Sequence, residues 1–92
     1  MKLIFEQTNL NYWYFKLNYK NITFNRLDSI ASILDMKESD LENIAIRCGG
    51  IKGYVINPDL YFDDFFYFKT FEQKLEFENR MNPYMIMKKL ME

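Results

Sequence analysis

The spacing of apolar residues changes along this chain, and each change marks an element. Residues 12–17 read Tyr-Trp-Tyr-Phe-Lys-Leu, residue types that favour a pleated strand. A turn over 18–21 and a short return at Ile22, Thr23 and Phe24 complete a predicted β-hairpin. Leu3, Ile4 and Phe5 add a candidate edge. The period then becomes helical. Leu27, Ile30, Ala31 and Leu34 recur on one face, with Asn25 as candidate cap. Ser39 and Glu42 have capping-box spacing for a second helix, whose inward stripe is Leu41, Ile44 and Ala45 with Ile46 beside it. Gly49 and Gly50 stop it, because glycine accepts the left-handed conformation at a helix end.

The second half repeats the alternation. Residues 51–56 predict a strand, Asn57, Pro58 and Asp59 a turn, and residues 65–68 another strand. Thr70 and Gln73 form a capping box for a helix running to about Met81. Asn82 and Pro83 have the types of a cap and a first helical residue, which predicts a separate last helix. Lys88 and Lys89 fall in its last turn, where the helix dipole favours cations. The expected fold is a single α+β domain of order ββααββαα, a small antiparallel sheet with a helix pair and C-terminal helices.

Two strands complicate a simple two-layer picture. In residues 65–68, Phe66 and Phe68 point to one face, Phe65 and Tyr67 to the other. Residues 12–15 are aromatic on both faces too. A sheet with one wet face alternates apolar with polar. These strands therefore need cover on both sides, either by helices throughout or by helices on one side and a partner or second copy on the other.

Composition narrows the function. The 92 residues include 9 Phe, 7 Tyr and 1 Trp, enough to anchor one core and too many for a disordered chain. The net charge of −1 lacks the basic excess of a general nucleic-acid coat. Acidic residues gather in the middle third, at Asp35, Glu38, Asp40, Glu42, Asp59, Asp63 and Asp64. There is 1 Cys and no His. That excludes an internal disulfide and the Ser-His and Cys-His pairs of nucleophilic catalysis. Gly49, Gly50 and Gly53 follow a helix, whereas phosphate-binding loops precede one. Asp59, Asp63 and Asp64 do not have calcium-loop spacing, and a solvated acidic loop is the expected reading. Cys48 beside the glycine pair reads as a buried thiol. The apolar run at the start ends at Glu6, short of a signal peptide, so a cytoplasmic location is expected. An enzyme is not expected, and neither a cofactor nor a metal is implied.

Residues 27–46 resemble a helix-turn-helix. Ala31, Asp35 and Leu41 have its spacing, and Ile44 takes the next inward position. The turn position usually holds Gly and here holds Asp35. The candidate recognition helix begins with Lys37, Glu38, Ser39 and Asp40, followed by Glu42 and Asn43, where carboxylates oppose phosphate. The final third, residues 66–70 and 82–90, looks like the tail of small uncharacterised phage or prophage proteins. That resemblance implies a mobile-element origin, a class that includes repressors and inhibitors of host defence such as anti-CRISPR proteins. The expected function is a non-enzymatic inhibitor or modulator that binds a host protein. A nuclease complex or other nucleic-acid-binding system is the implied target. The alternative is a helix-turn-helix DNA-binding regulator. The expected partner-binding residues are Glu38 and Glu42, the cluster Asp59, Asp63 and Asp64, and the aromatics Tyr61, Phe62 and Phe65. Direct contact with nucleic acid and with membrane is not expected; a homodimer is compatible.

Overall fold

The structure, a computed structural model, describes the backbone of residues 1–56 and 62–92 and the side chains of residues 1–53 and 65–92. Its order is β1 (Lys2–Gln7), β2 (Trp13–Tyr19), β3 (Ile22–Phe24), α1 (Leu27–Ile33), α2 (Glu38–Arg47), β4 (Ile51–Ile56), β5 (Phe62–Phe68) and α3 (Phe71–Met91). The class is α+β, as the periodicity predicts, with an antiparallel five-stranded sheet and three helices. The expected turn at residues 57–59 lies outside the described residues.

The sheet runs β1-β2-β5-β4, with β3 also on β2. Along one side of β2 lies β1, from Lys2 opposite Asn18 to Gln7 opposite Trp13. The other side is shared: Trp13 and Tyr14 pair with Phe68 and Tyr67 of β5, while Leu17, Asn18 and Tyr19 pair with β3. Directly opposed residues point to the same face. The register therefore sorts the side chains. Leu3, Phe5, Trp13, Phe15, Leu17, Phe24, Phe66 and Phe68 share one face, and Ile4, Glu6, Tyr14, Lys16, Phe65 and Tyr67 share the other.

The first set is the floor of the core. Phe15, Leu17, Phe66 and Phe68 are buried with Leu27, Ile30, Ala31 and Leu34 of the α1 region, Leu41 and Ala45 of α2, and Phe77 and Met81 of α3. The buried residues of all three helices thus belong to a single cluster on this face. Phe77 is its hub, with ring centroids 4.6 Å from Phe15, 5.0 Å from Phe68 and 6.4 Å from Phe5. At the rim, the Lys74 ammonium lies 4.6, 5.2 and 5.6 Å from the ring centroids of Phe5, Phe71 and Trp13, so the rim is sealed by cation–π contact.

Helix ends explain how the pair α1–α2 turns back on the sheet. After α1, Asp35 has φ 54°, its N–H donates to the Ser32 carbonyl, and the Met36 N–H donates to the Ala31 carbonyl. After α2, Gly49 has φ 88°, its N–H donates to the Ile46 carbonyl, and the Gly50 N–H donates to the Ala45 carbonyl. Both ends are Schellman motifs, one built on Asp and one on Gly. Asp is among the few other residues that visit the left-handed region readily, which is how Asp35 fills a position usually held by glycine.

Several expectations need correction. Asn25 does not cap α1; Arg26 does, without a side-chain bond. Ser39 and Glu42 do not form a capping box. α2 begins earlier, at Glu38 after Lys37, once the Asp35 turn has released the chain. The Thr70–Gln73 box is present: the Thr70 hydroxyl accepts from the Gln73 N–H and the Gln73 side chain accepts from the Thr70 N–H. Asn82 and Pro83 do not start a new helix. α3 continues through Pro83 to Met91, because Phe77, Met81 and Met85 keep one face on the core across the proline. β5 starts at Phe62, three residues earlier than expected, and the order becomes βββααββα.

Candidate interaction face

Opposite the core, the second face of the sheet carries the other half of the aromatic strands. Tyr14, Phe65 and Tyr67 meet there because β2 and β5 are hydrogen-bonded neighbours. Tyr12, just before β2, joins them. Its ring stacks on Tyr67 with centroids 5.3 Å apart and an interplanar angle of 7°. Tyr14 meets Phe65 edge-on at 5.8 Å, and Phe65 lies 5.9 Å from Tyr67. All four side chains are half-buried. They shield one another, and among the described residues no buried helix side chain belongs to this face.

Gly53 lets the rings lie down. It is directly opposite Phe65 in the β4–β5 ladder. A Cβ at this position would stand 2.9 Å from the Phe65 ring and 3.3 Å from the Tyr67 ring. The strand is bare here, so Phe65 covers backbone in place of a neighbouring side chain.

Charges surround the rings. The Lys69 ammonium sits 5.7 Å from the Tyr12 centroid, and that of Lys16 sits 5.7 Å from the Tyr14 centroid. The Tyr14 hydroxyl donates to Glu6 Oε2 at 2.7 Å, and Lys16 Nζ approaches Glu6 Oε1 at 3.3 Å. The hydrogen bond from Tyr14, then that from Lys16, holds the Glu6 carboxyl below its ordinary value. The same bond raises the Tyr14 phenol, because ionising it would place two anions together.

The residues singled out by sequence are scattered. Glu38 is exposed in the first turn of α2, where a carboxylate suits the helix dipole. Glu42 is half-buried and its Oε1 lies 3.3 Å from Lys52 of β4, so this acid is held within the chain. Phe65 belongs to the aromatic face. Asp59 and Tyr61 lie outside the described residues, and the side chains of Phe62, Asp63 and Asp64 are likewise undescribed. Tyr12, Tyr14, Tyr67, Lys16, Lys69 and Glu6 were missed as site residues. Their period-two spacing within each strand was visible; the pairing of β2 with β5 that unites them was not.

Cys48 is buried, and desolvation pushes its thiol up, away from the thiolate form. Among the described residues no group of three or more Cys, Asp or Glu could hold a metal ion. No described helix is long and apolar enough to cross a membrane. Comparison of the chain with known protein families, with curated proteins and with solved structures found no match.

Proposed function

We propose that this chain is a non-enzymatic binding domain that modulates or inhibits a protein target, and that the uncovered aromatic face is the surface it uses. The observation that carries this reading is the cluster of Tyr12, Tyr14, Phe65 and Tyr67 on the sheet face opposite all the buried helix residues. Tyrosines suit such a role, since each offers a large rigid apolar body with a polar tip. The rim of Lys16 and Lys69 fits a partner with an apolar centre and carboxylates around it. The phage-like tail points to a host target, and a host nucleic-acid-binding system is the class that the resemblance implies.

Glu38 and Glu42, four apart on α2, make the competing surface for a basic target, weakened because Glu42 is paired with Lys52. A second reading draws on the cations over Tyr12 and Tyr14: single-stranded nucleic acid stacks on aromatics beside basic groups. Against it stands Glu6, a carboxylate on the same face whose oxygens accept from Tyr14 and Lys16 themselves.

The test uses a partner recovered from the host and purified. Its affinity is measured for the wild type, for Tyr12→Ala with Tyr67→Ala, and for Glu38→Lys with Glu42→Lys. The aromatic pair should lose at least about tenfold, equivalent to about 1.4 kcal/mol, while the acidic pair stays near wild type. Unchanged affinity in the aromatic pair sinks the reading. A labelled oligonucleotide tests the second reading: binding that follows the tyrosines and weakens with salt would support it.

A further inference from the structure

The edge strand β1 carries a charge pattern that is complementary to itself. β1 pairs with β2 alone, so the main-chain groups on its outer side have no strand beside them among the described residues. Three of its side chains point to the uncovered face: Lys2, Ile4 and Glu6. Ile4 is half-buried at the middle, and the exposed Lys2 and Glu6 stand two residues to either side.

We propose that β1 is a self-pairing edge, and that a second copy of this chain adds to the sheet through an antiparallel β1–β1 contact with its twofold axis at Ile4. In that register Lys2 of each chain faces Glu6 of the other, and Ile4 faces Ile4. On the covered face Leu3 faces Phe5, apolar against apolar. Shifting the axis by one residue, to Leu3 or Phe5, places Ile4 opposite a charge and separates the ion pairs. The charges thus specify one register among the available ones.

Lys2 is free to take part, and Glu6 has acceptor capacity left. Lys2 makes no ion pair within the described chain. Glu6 already accepts from Tyr14 and Lys16, and a carboxylate has about four acceptor sites in all. Tyr14 and Lys16, both of β2, hold the Glu6 carboxylate on this face of the sheet, and the long Lys2 side chain of the second copy reaches it across β1. The paired sheet would run β4-β5-β2-β1 into β1-β2-β5-β4, setting the two aromatic faces side by side in one plane. The two β2 strands would then lie three strand spacings apart, about 14 Å. A single strand-to-strand contact falls among interfaces below about 1,200 Å², which are weak and transient. The inference is independent of the partner-binding reading.

Sedimentation equilibrium of the full chain, up to on the order of 1 mM, tests it. The wild type should show a reversible monomer–dimer equilibrium that weakens with salt. Lys2→Glu sets Glu against Glu and should raise the dissociation constant at least about tenfold. Combining Lys2→Glu with Glu6→Lys swaps the charges and should restore the dimer. Because Glu6→Lys also loses contacts to Tyr14 and Lys16, a second measurement avoids that position. Ile4→Cys puts two thiols across the axis, with Cα atoms about 4.5–5.5 Å apart, within disulfide reach. Mild oxidation should link it into dimers, while Thr23→Cys, on the same face in β3, stays monomeric; Cys48 is buried and does not interfere. A wild type that remains monomeric throughout overturns the proposal. So does a dimer that ignores Lys2→Glu, or an Ile4→Cys chain that links no faster than Thr23→Cys.

Discussion

The two faces of this sheet are made by the same strands from nearly the same residues, yet they have different fates. In β5, Phe66 and Phe68 are 1% and 0% exposed under the helices, whereas their neighbours Phe65 and Tyr67 remain half-open. Hydrophobicity does not separate the two sets. What separates them is where α1, α2 and α3 have come to rest. The covered face is closed by side chains from three helices, with Phe77 at the centre. The uncovered face makes its own partial cover by laying rings on one another and on Gly53. A side chain's role here is thus set by the partner above it, and a ring without a helix is available to something else.

The comparison breaks most directly at Phe77. Phe77→Ala removes the ring that touches Phe5, Phe15 and Phe68. It should cost about 3–5 kcal/mol in urea unfolding, as large aromatic truncations in packed cores do. The next effect is on the cover itself. Ala31 of α1 is buried in the cluster that also holds Leu41 and Ala45 of α2, and the Met36 N–H closes onto its carbonyl. Ala31→Leu should overpack that junction and lower stability by about 1–3 kcal/mol by the same measurement. A melt that does not move would show the junction to be loose.

Across the sheet, Tyr67→Ala should cost much less. The ring is half-exposed and its worth is chiefly the contacts to Tyr12 and Phe65, about 0.5–1.5 kcal/mol. A loss equal to that of Phe77→Ala would erase the distinction between the faces. The smallest effect is electrostatic. The Glu6 carboxyl titrates below the ordinary carboxylate range in the folded state, because it accepts from Tyr14 and Lys16. Its stabilisation is therefore present above the unfolded value and lost as pH falls through the folded one. For Tyr14 the sign reverses. Its folded value lies above the ordinary phenol range, so that contribution is present below the unfolded value and fades as pH rises through the folded one. Melting temperatures of wild type and Glu6→Gln should converge toward low pH and toward high pH, and differ most between. A constant offset at every pH would argue against the Tyr14–Glu6 bond.

Much of this architecture was legible in residue order. Period-two alternation separated Phe65 and Tyr67 from Phe66 and Phe68, and the stripe of Leu27, Ile30, Ala31 and Leu34 marked the buried side of α1. The Thr70–Gln73 box marked a helix start because its two bonds are local. Other features depended on what lies far away in the chain. Nothing near Phe65 says that Tyr14 will be its neighbour, since that follows from β2 pairing with β5 across about fifty residues. Nothing in strands that are aromatic on both sides says which side the helices will choose. Asn25 and Ser39 have the right types for caps, yet the turn at Asp35 and the pull of Leu41 into the core set where the helices begin. Helical spacing puts Glu38 and Glu42 on one face, yet the fold ties Glu42 to Lys52 while Glu38 stays exposed.

The proline inside α3 divides the helix in another respect. Pro83 has no N–H to offer the Asn79 carbonyl, so the ladder has a missing rung near its middle. Before it, Phe77 and Met81 are fully buried; beyond it, Ile86, Met87, Leu90 and Met91 are 57%, 58%, 77% and 70% exposed. Met85, the 3.4 Å contact of Lys88 with Asp35 and a hydrogen bond from the Tyr19 hydroxyl to the Glu92 carboxylate hold the far segment to the body. Amide hydrogens of residues 84–91 should therefore exchange with solvent through local opening, while those of residues 75–81 wait for the whole domain to unfold. One continuous helix in shape then behaves as two cooperative units in time.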